Sequence, residues 1–341
     1  MASFDPDACK AVSPDGAGCS FSVVIPVYNR PDHVRACLAP FLLPEASGLD
    51  VVVVDDGSTD ETPEVVRALA TQSRGATIRL VVQSNSGPGP ARNRGMDEAL
   101  NDWVVFHDSD DIWLPWGVGV MKNALACPEA AKATVLFIEA VRFHENAELD
   151  RVTEAPVALR LHDTLLDMRL DDPITTVSSC NVGFRRSVFQ ALGGFTGAVR
   201  HSEDTDLFYR ANECGPVLVI GQPAIMGYRQ SLPGSVTQTN SGDAIRYVRT
   251  RFLIDRNKAG LYPGPADKRN LALARTVAFT VRDYFAEGHL GAAYRVWWQG
   301  VGLFLAAGQW SSVVKLPLTP LLHYLRPGRY RFRWSRKGGP A

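Results

Sequence analysis

The sequence predicts an α/β fold with a mainly parallel central sheet, extended at its C-terminal end by helices. Three observations predict it. Short continuous apolar runs, among them Val51-Val52-Val53-Val54 and Trp103-Val104-Val105-Phe106, read as strands buried on both faces. In the first third of the chain these runs alternate strictly with helical stretches, which implies parallel strands joined by right-handed crossovers. From Asp243 onward the pattern is helical, with long amphipathic stretches through Arg282 and again through Leu305.

Residues 1–19 are rich in Asp, Pro and Gly and read as a disordered tail. The first strand is expected over 20–26. A helix follows over 31–43, with Pro31 in its first turn. Val51 to Val54 make the second strand and residues 60–73 the second helix, with Pro63 near its start. A third strand is expected over 77–83, a third helix over 90–100 and a fourth strand over 103–106. Beyond it, Ile112 to Val120 could be helical, with Asp111 as its cap. The next stretches are less regular: strands over 134–143 and 174–184, a helix over 204–214 and a strand over 217–228. The expected domains are a tail (1–19), a catalytic domain (20–242, divided into halves 20–116 and 117–242) and a helical extension with a basic tail (243–341).

The 341 residues are enough for one large domain with an appendage, or for two domains. The formal net charge is zero, but Trp310 to Ala341 holds seven Lys/Arg and no Asp/Glu. The six cysteines are scattered with no C-x-x-C pair, which argues against a zinc ribbon and a disulfide scaffold. The N-terminus has no basic stretch followed by an apolar one, so no signal peptide is read there, and no apolar run of about 18 residues suggests a spanning helix. A cytoplasmic location is expected, at the inner face of the cell membrane if the C-terminal region reaches it.

Two acidic clusters stand at the ends of apolar runs: Asp55-Asp56-Gly57-Ser58 and Asp108-Ser109-Asp110-Asp111. Ligands of open α/β sheets bind outside the carboxyl ends of the strands. Asp108 and Asp110, two residues apart in a turn, can both face a hard divalent cation, which prefers oxygen ligands and often shares them with phosphates. Turn formation and helix capping explain such clusters equally well when each is taken alone. The loop after the first strand, Pro26-Val27-Tyr28-Asn29-Arg30-Pro31, has no glycine, which counts against a dinucleotide-binding oxidoreductase. Arg92 and Arg94 could serve a base or phosphates, or form a solvated helix face.

Four motifs occur in order: Ser22-Val23-Val24-Ile25-Pro26-Val27-Tyr28-Asn29-Arg30, Val54-Asp55-Asp56-Gly57-Ser58-Thr59-Asp60, Ala91-Arg92-Asn93-Arg94-Gly95 and Asp108-Ser109-Asp110-Asp111. Together they resemble the nucleotide-sugar half of the family 2 inverting glycosyltransferases, which have the GT-A fold. The resemblance covers residues 20–116, continues more weakly to about 235, and stops near 240. It implies that Pro26, Val27 and Tyr28 line the base pocket and that Asp56 or Asp55 accepts the base imide N–H. Arg92 and Asn93 would contact the nucleoside, with Arg30 and Ser109 in the same nucleotide-sugar set. Asp110, helped by Asp108, would hold Mg2+ or Mn2+ on the diphosphate. Asp204, in Glu203-Asp204-Thr205-Asp206, would be the general base of a single displacement from a nucleotide diphosphate donor, expected to be a UDP-sugar, to a hydroxyl of a surface glycan or lipid-linked acceptor. Where many relatives carry a metal-site His after Tyr228-Arg229-Gln230, this chain has Ser231-Leu232-Pro233; His201 and His107 are the candidates to replace it.

Two other functions compete with that implication. A nucleotidyltransferase also sets carboxylates and metal beside a nucleotide, but the basic glycine-rich loop it would favour is missing after the first strand. A non-catalytic glycan- or membrane-binding scaffold would tolerate loss of the carboxylates at 108, 110 and 204, which are intact. Aromatic residues Trp297, Trp298 and Phe304, followed by C-terminal arginines with which Phe332 and Trp334 interleave, suit a peripheral contact with an anionic membrane, or ordinary packing followed by a solvated tail. No nucleic-acid motif is found.

Overall fold

The computed structural model describes residues 20–155, 158–171, 178–197, 203–222, 224–230 and 243–321. The expected tail, His201, the 231–235 segment and the arginines after 321 lie outside these residues. The chain divides into two compact units, residues 1–235 and 236–341.

The first unit is built on an eight-stranded sheet. Its first half follows the predicted alternation: Ser22–Val27 (β1), Pro31–Leu38 (α1), Asp50–Asp55 (β2), Thr62–Gln72 (α2), Thr77–Val82 (β3), Pro88–Glu98 (α3) and Trp103–Phe106 (β4). β1 pairs parallel with β2 on one side, and β2 with β3. On its other side β1 pairs parallel with β4. The chain thus winds outward from β1 in one direction and then returns to start in the other, which makes the gap beyond the ends of β1 and β4 the topological switch point of the sheet.

Side chains alternate across each strand, so the two sheet faces collect different partners. Val23, Ile25, Val51 and Val53 pack with Val34 of α1 and Val65 and Val66 of α2. Val24, Val52 and Val54 face the other way, onto Ala91 and Met96 of α3. Each of these buried valines contributes about 1.5–3 kcal/mol relative to exposure. α3 lies unusually close to the sheet at Gly95, where an added Cβ would stand 2.2 Å from Val24 Cγ1.

The second half of the unit departs from expectation in instructive places. Ile112 to Val120 is not a helix: Ile112–Trp113 (β5) pairs antiparallel in a small second sheet, and the helix starts only at Gly117–Ala126 (α4). Asp111 therefore caps nothing; its carboxylate accepts the backbone N–H of Arg229 at 2.8 Å. After the short helix Pro128–Lys132 (α5), the run 134–143 splits into Val135–Ile138 (β6) and Ala140–Phe143 (β7), which belong to different sheets. Next come Ala158–His162 (β8), Leu165–Asp171 (α6), Val182–Arg185 (β9), Arg186–Ala191 (α7) and Glu203–Arg210 (α8). The stretch 217–228 likewise splits, into Val217–Gln222 (β10) and Met226–Arg229 (β11). β6 and β10 are parallel neighbours in the large sheet, and their continuations β7 and β11 are parallel neighbours in the small one. β9 enters antiparallel between β4 and β6, giving a sheet that is mostly parallel, ordered β3-β2-β1-β4-β9-β6-β10-β8.

The second unit is helical: Asp243–Lys258 (α9), Ala266–Ala286 (α10), Leu290–Ala306 (α11) and Trp310–Val314 (α12). α10 and α11 pack closely where Gly300 meets Val277, since a Cβ there would lie 2.8 Å from Val277 Cγ1. Arg246 of α9 bonds Glu287 through two nitrogens, at 2.9 and 2.8 Å. Among the described residues no helix is long and apolar enough to cross a membrane.

Candidate active site

β1, β2 and β4 run parallel and point their carboxyl ends to the same edge: Asp56 N–H bonds Val27 O at 2.9 Å at the end of β1, and His107 N–H bonds Val24 O at 3.0 Å, from where the chain continues into the acidic turn. This places both acidic clusters on the edge where the switch point opens. The opposite edge carries a different kind of carboxylate. Asp50 accepts Ser22 Oγ, the Leu100 N–H and two nitrogens of Arg79, all within 3.0 Å. Its bonds are saturated within the protein, which marks it as a tie between strands rather than a ligand group.

The loops after β1 and β2 are laced together. Asn29, at φ 49°, is the only described non-glycine residue with positive φ; its side chain accepts the Thr59 N–H at 2.8 Å and its own N–H bonds Ser58 Oγ at 2.9 Å. Tyr28 beside it is exposed, Pro26 is half-buried and the Val27 side chain is in the core. Arg30 N–H bonds Thr62 Oγ1. Asp55 accepts the Ser58 N–H at 3.2 Å. Its Oδ1 is buried with no hydrogen-bond partner in the protein. Asp56 is spoken for by its own neighbourhood: Gln83 Nε2, Ser86 N and Gly87 N all donate to it, at 2.8, 2.9 and 2.8 Å. The segment 83–87 reaches Asp56 by passing over Gly57, whose φ is 79° and whose Cβ, if present, would be 2.9 Å from Asn85 N. Of the two acids, Asp55 is therefore the one with an acceptor oxygen left over.

Arg92, on α3, occupies the middle of the site. It is only 4% exposed, and it donates to Asp108 Oδ1 at 2.5 Å and to Glu203 Oε1 at 3.2 Å. Its guanidinium also lies over the Phe195 ring, 5.5 Å from the centroid. Burial opposes its charge, but Asp108 and Glu203 more than offset this and hold it firmly protonated. Asn93, the next residue, exchanges two hydrogen bonds with the backbone of Phe195, at 2.9 and 2.8 Å. Arg92 and Asn93 thus fasten α3 to residues far along the chain. Arg94 instead pairs with Glu98 on the surface.

Asp108, Asp110 and Asp111 form the acidic turn after β4. Burial, then the neighbouring Asp108, push the Asp110 carboxyl up, while Arg30 and Arg229 pull it down. Burial pushes Asp111 well up, with Asp108 and Asp110 adding to it. Ligand atoms of Asp108, Asp111 and Cys180 lie within 4.8 Å of one another. The Cys180 thiol is forced well up by burial and stays protonated, so it suits neither Mg2+ nor Mn2+. Asp111 is 1% exposed and already accepts from Arg229, whereas the Asp108 side chain is 29% exposed and Asp110 is half-buried. A turn in which Asp108 raises the proton affinity of both Asp110 and Asp111 fits a divalent cation, which would relieve that repulsion. Ser109 is buried. His107 is fully buried against Trp113, and burial holds its imidazole down at about 4, neutral near pH 7.

Glu203 and Asp204 open α8 on the same side of the sheet. Glu203 is buried and held by Arg92; burial first, then Asp204, raise its carboxyl to about 7, against the pull of Arg92. Asp204 is half-buried and accepts the Thr205 N–H and hydroxyl. Arg229, little noticed in the sequence, clamps the acidic turn: beyond its bond to Asp111, its Nε donates to Asp110 O at 2.9 Å and its guanidinium stacks on Phe143. No local signature marks the roles of Glu203 and Arg229, because their partners are 111 and 118 residues away; the sequence signals are the acidic pair ahead of a helix and the Tyr228-Arg229-Gln230 stretch.

S. aureus TarS residues 1–349, solved with UDP-GlcNAc, superposes with a TM-score of 0.64 over 90% of this chain and 87% of that one, at 20% identity; the likeness is of fold, the GT-A type. Among curated proteins, the succinoglycan biosynthesis protein ExoO of Rhizobium meliloti is 29% identical over 201 residues, covering 56% of this chain and 55% of ExoO. The uncharacterised glycosyltransferase YibD of Escherichia coli K12 is 37% identical over 90 residues, 26% of each chain. The matched stretches thus span about a quarter to about half the length of these relatives. Residues 22–193, half of the chain and every strand that builds the switch point, match the family described as Glycosyl transferase family 2, and the chain belongs to that family.

Proposed function

We propose that this protein is a metal-dependent, inverting glycosyltransferase that moves a sugar from a UDP-sugar to a hydroxyl of a surface glycan or lipid-linked saccharide. The observation that supports it most is the chain of contacts Asp108–Arg92–Glu203, which brings the acidic turn after β4 and the acidic start of α8 into one site at the switch point. TarS has been solved with UDP-GlcNAc, and ExoO is named for succinoglycan biosynthesis; both fit a nucleotide-sugar donor and a polysaccharide product. A cytoplasmic working place fits the same donor.

In this reading Asp55 accepts the base N–H with its unpartnered oxygen, and Asp56 holds the loop that frames the base. Tyr28, Pro26 and the Val27 backbone wall the base, and Arg30 stands near the phosphates. Asp108 and Asp110 would hold Mg2+ or Mn2+, which supplies positive charge to the leaving diphosphate. Asp204 takes the proton of the acceptor hydroxyl as that oxygen attacks the anomeric carbon. The bond from this carbon to the donor phosphate oxygen breaks with its electron pair, leaving UDP and an inverted linkage. Arg92 stays between the two acidic groups and sets their spacing.

Incubation with a panel of UDP- and GDP-sugars, measuring release of the nucleoside diphosphate, tests the proposal. Release from at least one UDP-sugar is expected, abolished by EDTA and reduced about 100-fold or more in Asp110→Ala. Release from none, or release indifferent to both EDTA and the substitution, would overturn it.

A further inference from the structure

The last acidic residue of this chain is Glu287. The 54 residues from Gly288 to Ala341 contain eight Lys/Arg and no Asp or Glu, while the 287 residues before them hold all 36 acids and 28 Lys/Arg. The formal charge is therefore minus 8 on one side of Glu287 and plus 8 on the other. The acid-free stretch begins with α11, a helix whose outward face is apolar. Leu290, Tyr294, Trp298 and Leu305 recur at helical spacing along it and are exposed. Arg295 is the only charged residue on the helix. Trp298 is 73% exposed, and Trp310, at the start of α12, is 65% exposed. Neighbouring aromatics have other work: Trp297 Nε1 donates to Ser312 O at 3.0 Å, joining α11 to α12, and Phe304 is buried. Water is a poor partner for two large indoles displayed this way.

We propose that this face of α11 and α12 seats on an anionic lipid surface, with Trp298 and Trp310 in the headgroup layer, the exposed Arg295 and Lys315 over the lipid phosphates, and the cations that the sequence carries after Leu321 adding to the attraction. Indole rings favour the boundary between apolar and polar layers, and Lys/Arg side chains near an anionic bilayer are drawn to its surface charge. Charge separates this occupant from a second copy docked through the same face and from the chain's own C-terminal residues. A second copy docked face to face would bring two segments of plus 8 together. The chain's own residues 322–341 carry six of the eight cations and no acid, so folding them over Arg295 and Lys315 would set cation against cation. An anionic bilayer satisfies both the indoles and the charge. The helices are too short and too interrupted to span it, so the contact is peripheral.

Co-sedimentation of the full chain with vesicles tests it. At low salt the protein should pellet with phosphatidylcholine–phosphatidylglycerol vesicles and not with phosphatidylcholine alone, and about 0.5 M salt should release it. The pair Trp298→Ser and Trp310→Ser, at exposed positions that leave folding intact, should weaken binding by about tenfold or more. Replacing Arg329, Arg331, Arg333 and Arg336 by Gln should do the same. UDP binding by each variant serves as the check that the catalytic unit is folded. Equal binding to neutral and anionic vesicles, unchanged binding of the tryptophan pair, or a protein dimer that the tryptophan pair dissociates without any vesicle binding would each overturn the proposal.

Discussion

Arg92 shows how one side chain organises this site. A buried guanidinium with two carboxylate partners is costly to desolvate and strongly destabilising to leave half-paired, so the pairing fixes α3 relative to both the β4 turn and α8. Glu203 carries the consequence that can be measured. Its carboxyl titrates at about 7 in the folded protein, against an ordinary value of 4.5. Between those values the folded state holds a proton that the unfolded state has released, so the contribution of Glu203 to stability falls as pH rises through that window. Glu203→Gln keeps an acceptor for Arg92 and removes the titration. Denaturant unfolding of this variant between about pH 4.5 and 7 should show a shallower loss of stability with rising pH than the parent; parallel profiles would contradict the burial of Glu203 beside Arg92. The sequence made the individual acids legible, because strand-end carboxylates and turn formers have local signatures. It did not reveal that Asp56 would spend itself on its own loop while Asp55 kept a vacant oxygen, since that depends on where residues 83–87 travel.

At the scale of elements, the first half of the fold was readable almost throughout. Four apolar runs with intervening helices gave parallel strands joined by crossovers, and each boundary moved by only a few residues, while the strand order β3-β2-β1-β4 has no signature in the pattern. The failures share one cause. The runs 134–143 and 217–228 are interrupted at Glu139 and at Gly221-Gln222-Pro223, and there the two runs pass as a pair from the large sheet to the small one. Nothing in a period-two pattern marks such a transfer, because both halves remain strands. The expected helix after Asp111 failed because Ile112–Trp113 found a strand partner in β11, a tertiary override of local preference. At Gly95 α3 rests directly on the sheet, where an added Cβ would lie 2.2 Å from Val24 Cγ1 and 3.1 Å from Val54 Cγ2. Gly95→Ala should cost about 1–3 kcal/mol in overpacking, despite alanine's better helix propensity. Thermal unfolding checks this; a melting temperature at or above that of the parent would show that α3 can lift from the sheet without penalty.

Across the whole molecule, two units divide the work. The first carries every residue assigned to chemistry, and the second carries an acid-free, cation-rich segment with an apolar outer face. Composition alone gave a net charge of zero and so concealed this division; only the position of the last acid reveals it. The family, and with it the GT-A sheet, follows from residues 22–193. The reaction itself depends on one further claim, that Asp204 removes the acceptor proton while other groups bind the donor. Removal of a general base typically costs about 100-fold to 10,000-fold in rate. The measurement that tests this most directly pairs UDP affinity with nucleoside diphosphate release in Asp204→Asn. The account predicts UDP affinity within about twofold of the parent and release lowered by about 100-fold or more. Release at the parent's rate, or loss of UDP binding in step with loss of release, would contradict it.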